Sequence, residues 1–396
     1  MVNVSGAGAM LHALRDRRPR TRSELSEISG LGRAAVAQRL DALLAAALLE
    51  PVGEAASTGG RPPTRFAFNP SARVVLAADV GATHVRLAAT DLAARVLDSE
   101  VIDVDIGRGP RHVLGWIVDH GRSMLRRIGR GPEELAGMGI GLPGPVEFAT
   151  GRPVNPPIMP GWHGFDVAGF VGGRLGCPVV VDNDVNVMAL GERYIAFSDV
   201  DHLLFVKVAT GIGSGMVIDG AVRRGAQGAA GDMGHIHVPH ESDAVCRCGN
   251  TGCLEAVASG AAIAAQLAEQ GIPARSSRDV ADLVLQGSVV ADQLVRAAGR
   301  MIGEVIATAV SLLNPSVIVI GGSLAMAGES LLAGVREVVY QRSLPLATAK
   351  LEIVAAVGGE QSGVIGAAAL LCDTVLAPGL VEAELARHEP RVAAGR

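Results

Sequence analysis

Aromatic side chains are nearly missing from this 396-residue chain, at 3% of positions, so its cores must be assembled from Ala, Val, Leu and Ile. No apolar run approaches the roughly 18 residues that a membrane span requires. The opening segment, MVNVSGAGAMLHALRDRRPRTR, has no secretory core before it turns arginine-rich. These absences lead us to expect a soluble, cytoplasmic protein without a membrane partner. Cysteine is sparse too, at five residues, and a reducing compartment keeps thiols unpaired, which weakens a disulfide reading. What the chain does have is hydrophobic residues at 49%, enough for two or three domains with sizeable cores. It also has 51 Gly and 20 Pro, a habit of α/β proteins with glycine-rich ligand loops.

Charge is unevenly spread. Residues 1–73 hold ten Arg, no Lys and six Asp or Glu, for a net +4, so the remainder carries −9 of a total of −5. A basic head on an acidic body points to a nucleic-acid module attached to something else. Within it, TRSELSEISGLGRAAVAQRLDALLAAALLE (21–50) has helical spacing broken at Ser29-Gly30-Leu31-Gly32. Leu25 and Ile28 form an apolar face before the break; Val36, Leu40, Leu43 and Leu44 repeat after it. Thr21 with Glu24, or Ser23, caps the first helix, and Met10, Leu11 and Leu14 supply an earlier one. The pattern resembles a helix-turn-helix whose recognition helix presents Arg33, Ala34, Ala35, Gln38 and Arg39. Arg and Gln suit bidentate contacts to guanine and adenine edges. The following LLEPVGEAASTGGRPPTRFAFNP reads as a two-stranded wing with Arg61 at its tip, aimed at a minor groove or phosphate. A helical protein-interaction domain with a linker is the alternative.

Two glycine hairpins open the two halves of the body. RVVLAADVGATHVRLAATDL (73–92) turns at Asp79, Gly81 and Thr83, and HLLFVKVATGIGSGMVIDG (202–220) turns at Thr210, Gly211 and Gly213. Small residues there let backbone N–H groups approach phosphate oxygens, and Asp79 suits a magnesium ion held directly or through water. One such turn is ordinarily only a turn. Two of them, with NPSVIVIGGSLA (314–325) ending a strand in Gly321-Gly322, predict a duplicated two-lobed fold with nucleotide between the lobes. In that order they resemble the phosphate and adenosine elements of the actin-like, hexokinase-type (RNase H-like) ATPase fold, an α/β architecture.

CPVVVDNDVNVMALGER (177–193) runs a buried strand into Asp182-Asn183-Asp184 and then a helix. Carboxylates at that strand end sit where α/β proteins place ligands. Asp182 or Asp184 as a helix cap is the bland alternative. Phosphoryl transfer to a sugar needs a carboxylate that accepts the hydroxyl proton. NPPIMPGWHG (155–164) offers one wall of a sugar pocket, with Trp162 either there or in the core. GHIHVPHESDAVCRCGNTGCLE (234–255) crowds three of the five cysteines into one loop. Cys246, Cys248 and Cys253 with one imidazole make a tetrahedral Cys3His set, the usual form of a structural zinc site. His235, His237 and His240 are all candidates for the nitrogen. Cys177 and Cys372 stand apart as buried small hydrophobes.

GAAGDMGHIHV followed by CRCGNTGCLE resembles the zinc signature of the ROK family (repressors, open reading frames and kinases). The resemblance spans nearly the whole chain and implies a transcriptional-regulator branch with an N-terminal winged helix-turn-helix. It implies that His235 is the zinc nitrogen, that Asn183, Asp184, Asp232, His235 and Glu255 hold the sugar, and that Asp184 is the general base. Two departures stand out: Asp232 replaces the usual Glu, and the first phosphate turn reads Gly-Ala-Thr-His. The expected layout is a DNA-binding domain at 1–73, a small lobe at 74–185, a large lobe with zinc at 186–373, and a weakly structured tail at 374–396. The expected function is a sugar-responsive regulator, a repressor that binds operator DNA and a monosaccharide or sugar phosphate as a dimer or dimer of dimers. Mg-ATP-dependent hexose phosphorylation is the alternative activity.

Overall fold

The computed structural model describes residues 6–54, 62–239 and 243–388. The chain opens with α1 (Ala7–Leu14), β1 (Arg20–Thr21), α2 (Arg22–Ser29) and α3 (Arg33–Ala45), then β2 (Leu49–Glu54) and β3 (Thr64–Phe68). Met10, Leu11, Leu14, Leu25, Val36, Leu40 and Leu43 are fully buried and form the core of this module. Thr21 starts α2 with a capping box: its N–H donates to Glu24 Oε2 at 2.7 Å, and its Oγ1 accepts from the Glu24 N–H at 3.3 Å. Gly30, in the left-handed region at φ 67°, ends α2 and turns the chain into α3. Ile28, expected on the apolar face beside Leu25, is exposed, because Leu25 is the sole buried residue of this short helix. The expected pair of antiparallel wing strands is present as β2 and β3, and β1 adds a third strand along the free edge of β3. Arg61 lies outside the described residues.

Two five-stranded sheets form the body. The first contains β4 (Val74–Val80), β5 (His84–Asp91), β6 (Val96–Asp103) and β7 (Leu135–Leu142). After the small hairpin β8 (Val146–Glu147) and β9 (Arg152–Pro153) comes its last strand, β10 (Val179–Asn183), giving the order β10-β7-β4-β5-β6. The second contains β11 (Leu203–Val208), β12 (Ile212–Ile218), β13 (Ala221–Arg223), β14 (Val317–Gly321) and β15 (Glu352–Ala355), in the order β13-β12-β11-β14-β15. Each sheet is an antiparallel meander extended by two parallel strands, so the halves repeat one topology. That repeat is the two-lobed, actin-like fold the glycine hairpins predict.

Helices α4 (Pro110–Arg127) and α5 (Val167–Leu175) contribute to the core of the first sheet. α6 (Asp184–Ala196) continues directly from β10 and packs Val185, Met188 and Ala189 against the second sheet. That sheet's other core takes in α7 (Leu254–Ala258), α8 (Gly260–Glu269), α9 (Ser277–Leu285), α10 (Val289–Leu313) and α11 (Glu329–Arg342), with the single turn α12 (Pro345–Thr348) beside it. α13 (Ser362–Val375) then returns to the first sheet and crosses α6 backbone to backbone. A Cβ at Gly366 would collide with the Val187 carbonyl, and one at Gly191 with the Ser362 carbonyl. Residues 362–375 therefore complete the core of the first lobe, although their position in sequence assigns most of them to the second. The segment expected to be a weakly structured tail carries a further helix, α14 (Pro378–His388), which docks on α1. Val381 joins the Met10 and Leu11 core, and Glu382 Oε1 accepts from the Gly8 N–H at 2.9 Å.

Candidate functional site

A cleft of about 670 Å³ opens between the two sheets. The first hairpin brings Asp79, Gly81 and Thr83 to it, and the second brings Thr210, Gly211 and Gly213. Gly321 and Gly322 reach it from the end of β14. Gly81 N–H donates to the His84 carbonyl at 2.8 Å, closing the first turn. The second-lobe glycines also have packing duties. A Cβ on Gly213 would press on Val185 at 3.0 Å, and one on Gly211 would meet the Glu255 carboxylate. Gly322 sits at φ 91°, which side chains resist, with the Val208 backbone against it.

The sugar candidates Asn183, Asp184, Asp232, His235 and Glu255 line the same cleft. Asn183, not either neighbouring acid, caps α6: its Oδ1 accepts from the Val185 N–H at 2.9 Å while its Nδ2 donates to the Gly144 carbonyl at 2.8 Å. Asp182 points away from the cleft and is buried. It accepts from Asn186 Nδ2 at 2.9 Å and pairs with Arg224 at 2.7 Å, tying the end of β10 to the loop after β13. Glu255 Oε2 accepts from the Ile212 N–H at 3.0 Å, which fixes the carboxylate beside the second glycine turn. Asp232 is exposed at the cleft and caps the turn 233–235 without a side-chain bond. Trp162 belongs to the core and not to a pocket wall: it is fully buried and its Nε1 donates to the Ile106 carbonyl at 3.2 Å.

Lys207 on β11 is the residue that motif reading missed. Its Nζ donates to Asp184 Oδ2 at 2.6 Å, and Asp184 has a side chain only 7% exposed. Burial would lower the ammonium pKa, but Asp184 and Asp79 outweigh it and hold it above the ordinary lysine value. Burial raises Asp79 from 3.8 to about 6, with Lys207 opposing and Asp184 reinforcing the rise. The clue was a lone cation inside LLFVKV, one of only two lysines in the chain with Lys350. Also unread was the Glu360 carboxylate at the cleft, which pairs with Arg86 of the first lobe and with Arg278 of α9 at 2.5 Å.

The cysteine loop closes beside the sugar candidates. His235, Cys246, Cys248 and Cys253 bring their donor atoms within 4.8 Å of one another. The Cys248 and Cys253 sulfurs are 3.7 Å apart and Cys246 Sγ is 3.4 Å from His235 Nδ1. A tetrahedral ion with thiolates at about 2.3 Å has edges of about that length, so the donor set fits such a metal. His237 takes no part in the cluster and pairs instead through its backbone with Cys253. His240 lies outside the described residues. The Asn250 N–H draws the Cys248 thiol down to about 7, whereas burial and the neighbouring thiols push Cys253 up to about 12. A bound cation would let all three ionise. Because His235 faces the thiols through Nδ1 and also lines the cleft, the metal loop and the pocket share a side chain.

In the N-terminal module, Arg33 and Gln38 project from α3 as exposed side chains, while Ala35 and Arg39 are half-buried. Arg39 Nη1 donates to the Ala35 carbonyl at 3.0 Å.

Residues 75–374 match the ROK family. The chain belongs to that family. Two branches of it resemble this ROK protein to different extents. A xylose repressor from Caldicellulosiruptor bescii is 27% identical over 381 residues, covering 93% of this chain and 95% of its own length. The solved structure of a ROK family transcriptional regulator, a homologue of the E. coli MLC protein, superposes with TM-score 0.82 at 26% identity. It covers 96% of this chain and 98% of its own. A ROK hexokinase from Thermus thermophilus matches at TM-score 0.63 and 29% identity, covering 97% of its own length but only 75% of this chain. The regulators thus match this chain over nearly its full length, and the kinase does not.

Proposed function

We propose that this protein is a sugar-responsive transcriptional repressor. The observation that carries the reading is one chain joining a helix-turn-helix-like module to the kinase-like cleft, in the arrangement shared with regulators over nearly their full length. In this reading Arg33, Ala35, Gln38, Arg39 and the wing residue Arg61 meet operator DNA, from a homodimer or dimer of dimers working in the cytoplasm. Asn183, Asp184, Asp232, His235 and Glu255 hold a monosaccharide or its phosphate. Zinc on His235, Cys246, Cys248 and Cys253 stiffens the loop that aims His235 and Glu255 at sugar hydroxyls. A hydrogen-bonding pocket of this kind is selective, because each unpaired buried polar group costs roughly 1–3 kcal/mol.

Closure of the lobes around sugar would move α6, which begins at Asp184 and carries Tyr194 to the N-terminal module. Such a shift requires sugar to bind the two conformations with different affinity. The test is DNA binding measured on a sequence selected from random duplexes, titrated with a panel of xylose, glucose, N-acetylglucosamine and their phosphates. A change in DNA affinity with one sugar is expected. DNA affinity indifferent to the whole panel would remove the sensing role, and failure to select any duplex would remove the repressor.

The second reading is ATP-dependent hexose phosphorylation, favoured by Asp184 at the start of α6 and by both glycine turns. Sugar-dependent ADP release that is abolished by Asp184→Asn would support it.

A further inference from the structure

Phosphoryl transfer in a two-lobed cleft asks two things of its carboxylates. One must help hold a divalent cation against the phosphates, and another must offer an unengaged lone pair to the attacking hydroxyl. Asp79 and Asp184 both line the cleft, and Lys207 pairs directly with Asp184. Its Nζ is 2.6 Å from Asp184 Oδ2, and its charge acts on Asp79 as well. The Asp184 side chain is 7% exposed and that of Lys207 26%, so water reaches the pair mainly from the ammonium side. The Asp79 carboxylate lies with Oδ2 against Gly363 at the start of α13 and Oδ1 near Gly141 of β7. The choice of residue is also informative. Nearly every other cation in the chain is Arg, a wide planar fork, whereas Lys is a compact point charge of the kind that fits between two carboxylates. A cation that is part of the chain thus already stands beside these carboxylates, and one of the two oxygens of Asp184 is taken by its hydrogen bond, a donor set poorly matched to Mg-ATP.

We infer that Lys207 substitutes for the phosphate-bridging divalent cation, so that this cleft binds its sugar with no such cation at Asp79 and transfers no phosphoryl group. The inference rests on the sugar-binding reading above and turns the kinase-like body into a receptor. Lys207 acts as a positioning residue: it holds Asp184 Oδ2 toward β11.

The experiment uses the full-length protein and Lys207→Met, which keeps the length of the side chain and removes its charge. Mn²⁺ binding, followed by electron paramagnetic resonance without sugar, should show no site in the wild type that depends on Asp79. Lys207→Met should gain one, and Asp79→Asn in that background should lose it. ADP release by the wild type should equal the no-sugar blank for every sugar in the panel, and any sugar that binds should do so equally in Mg²⁺-free buffer and with Mg²⁺ added, the zinc being left in place in both. A wild-type Mn²⁺ site lost in Asp79→Asn overturns the inference. So does sugar-dependent ADP release lost in Asp184→Asn, or a folded Lys207→Met that takes up no Mn²⁺. If Lys207→Met does not fold, the wild-type measurements still decide. If no sugar binds, the sensing role fails alone, because the Mn²⁺ measurement contains no sugar.

Discussion

Arg17 and Tyr194 meet where the N-terminal module rests on the body: Arg17 Nη2 donates to the Tyr194 hydroxyl at 3.2 Å, and both donate to the Ala93 carbonyl. Nearby, Arg15 pairs with Asp373 at 2.6 Å. Tyr194 belongs to α6 and Asp373 to α13, the two helices that cross through glycine backbone contacts. The module is thus fastened to the elements that any lobe movement must carry. Replacing both Arg17 by Ala and Tyr194 by Phe should leave sugar affinity nearly unchanged. The sugar-induced change in DNA affinity should shrink about fivefold, near the low end of ordinary coupling energies. Parallel calorimetry with sugar and anisotropy with DNA would check this; a loss confined to sugar affinity would refute it.

Asp79 gives a signed pH dependence. Its folded pKa of about 6 lies above the 3.8 of a free Asp, so the folded state holds this proton more tightly than the unfolded state. The stability it contributes is complete below about pH 4 and is lost as pH rises to about 6, a total of about 3 kcal/mol. Asp79→Asn should therefore gain in melting temperature relative to wild type between pH 5 and pH 7.5. A constant difference across that range would show that Asp79 titrates normally.

The helix crossing predicts a contrast between two glycines. Gly366→Ala drives a methyl into the Val187 carbonyl and should cost about 3 kcal/mol or more, because neither helix backbone can retreat. Gly379→Ala, in α14 with open space around it, should change stability by less than about 1 kcal/mol. Denaturant midpoints at a common slope would separate them.

The cysteine loop predicts a metal requirement. Purified protein should contain one zinc per chain by elemental analysis, and Cys248→Ser should lose it, whereas Cys177→Ser should retain it. Metal loss should lower the melting temperature and weaken sugar binding together, since His235 belongs to both the cluster and the cleft. A zinc-free protein that binds sugar at full strength would contradict this arrangement.

What could be read from the residue order was short-range. The spacing Cys246-x-Cys248-x4-Cys253 and the two glycine turns announce themselves because the groups concerned lie a few residues apart, where covalent connection already limits their geometry. The capping box at Thr21 and Glu24 is of the same kind. The choice among three histidines is not, because His235 and His237 share local spacing and differ only in which one the folded loop turns toward Cys246. Trp162 likewise had two equal uses until the Ile106 carbonyl was seen to take its N–H.

The linear chain determined the fold family, the paired glycine turns, the donor set for a metal and the presence of a basic head on an acidic body. Only the tertiary structure decided what the cleft's charges do to one another. Lys207 lies 23 residues from Asp184, and Glu360 lies 274 from Arg86, so nothing local brings these pairs together. Their contact depends on two sheets closing around α6 and α13, and the strength of a charge pair depends on the burial that closure creates. Distance and burial are both products of packing, which is why a lysine that looked incidental within a strand becomes the cation paired with Asp184.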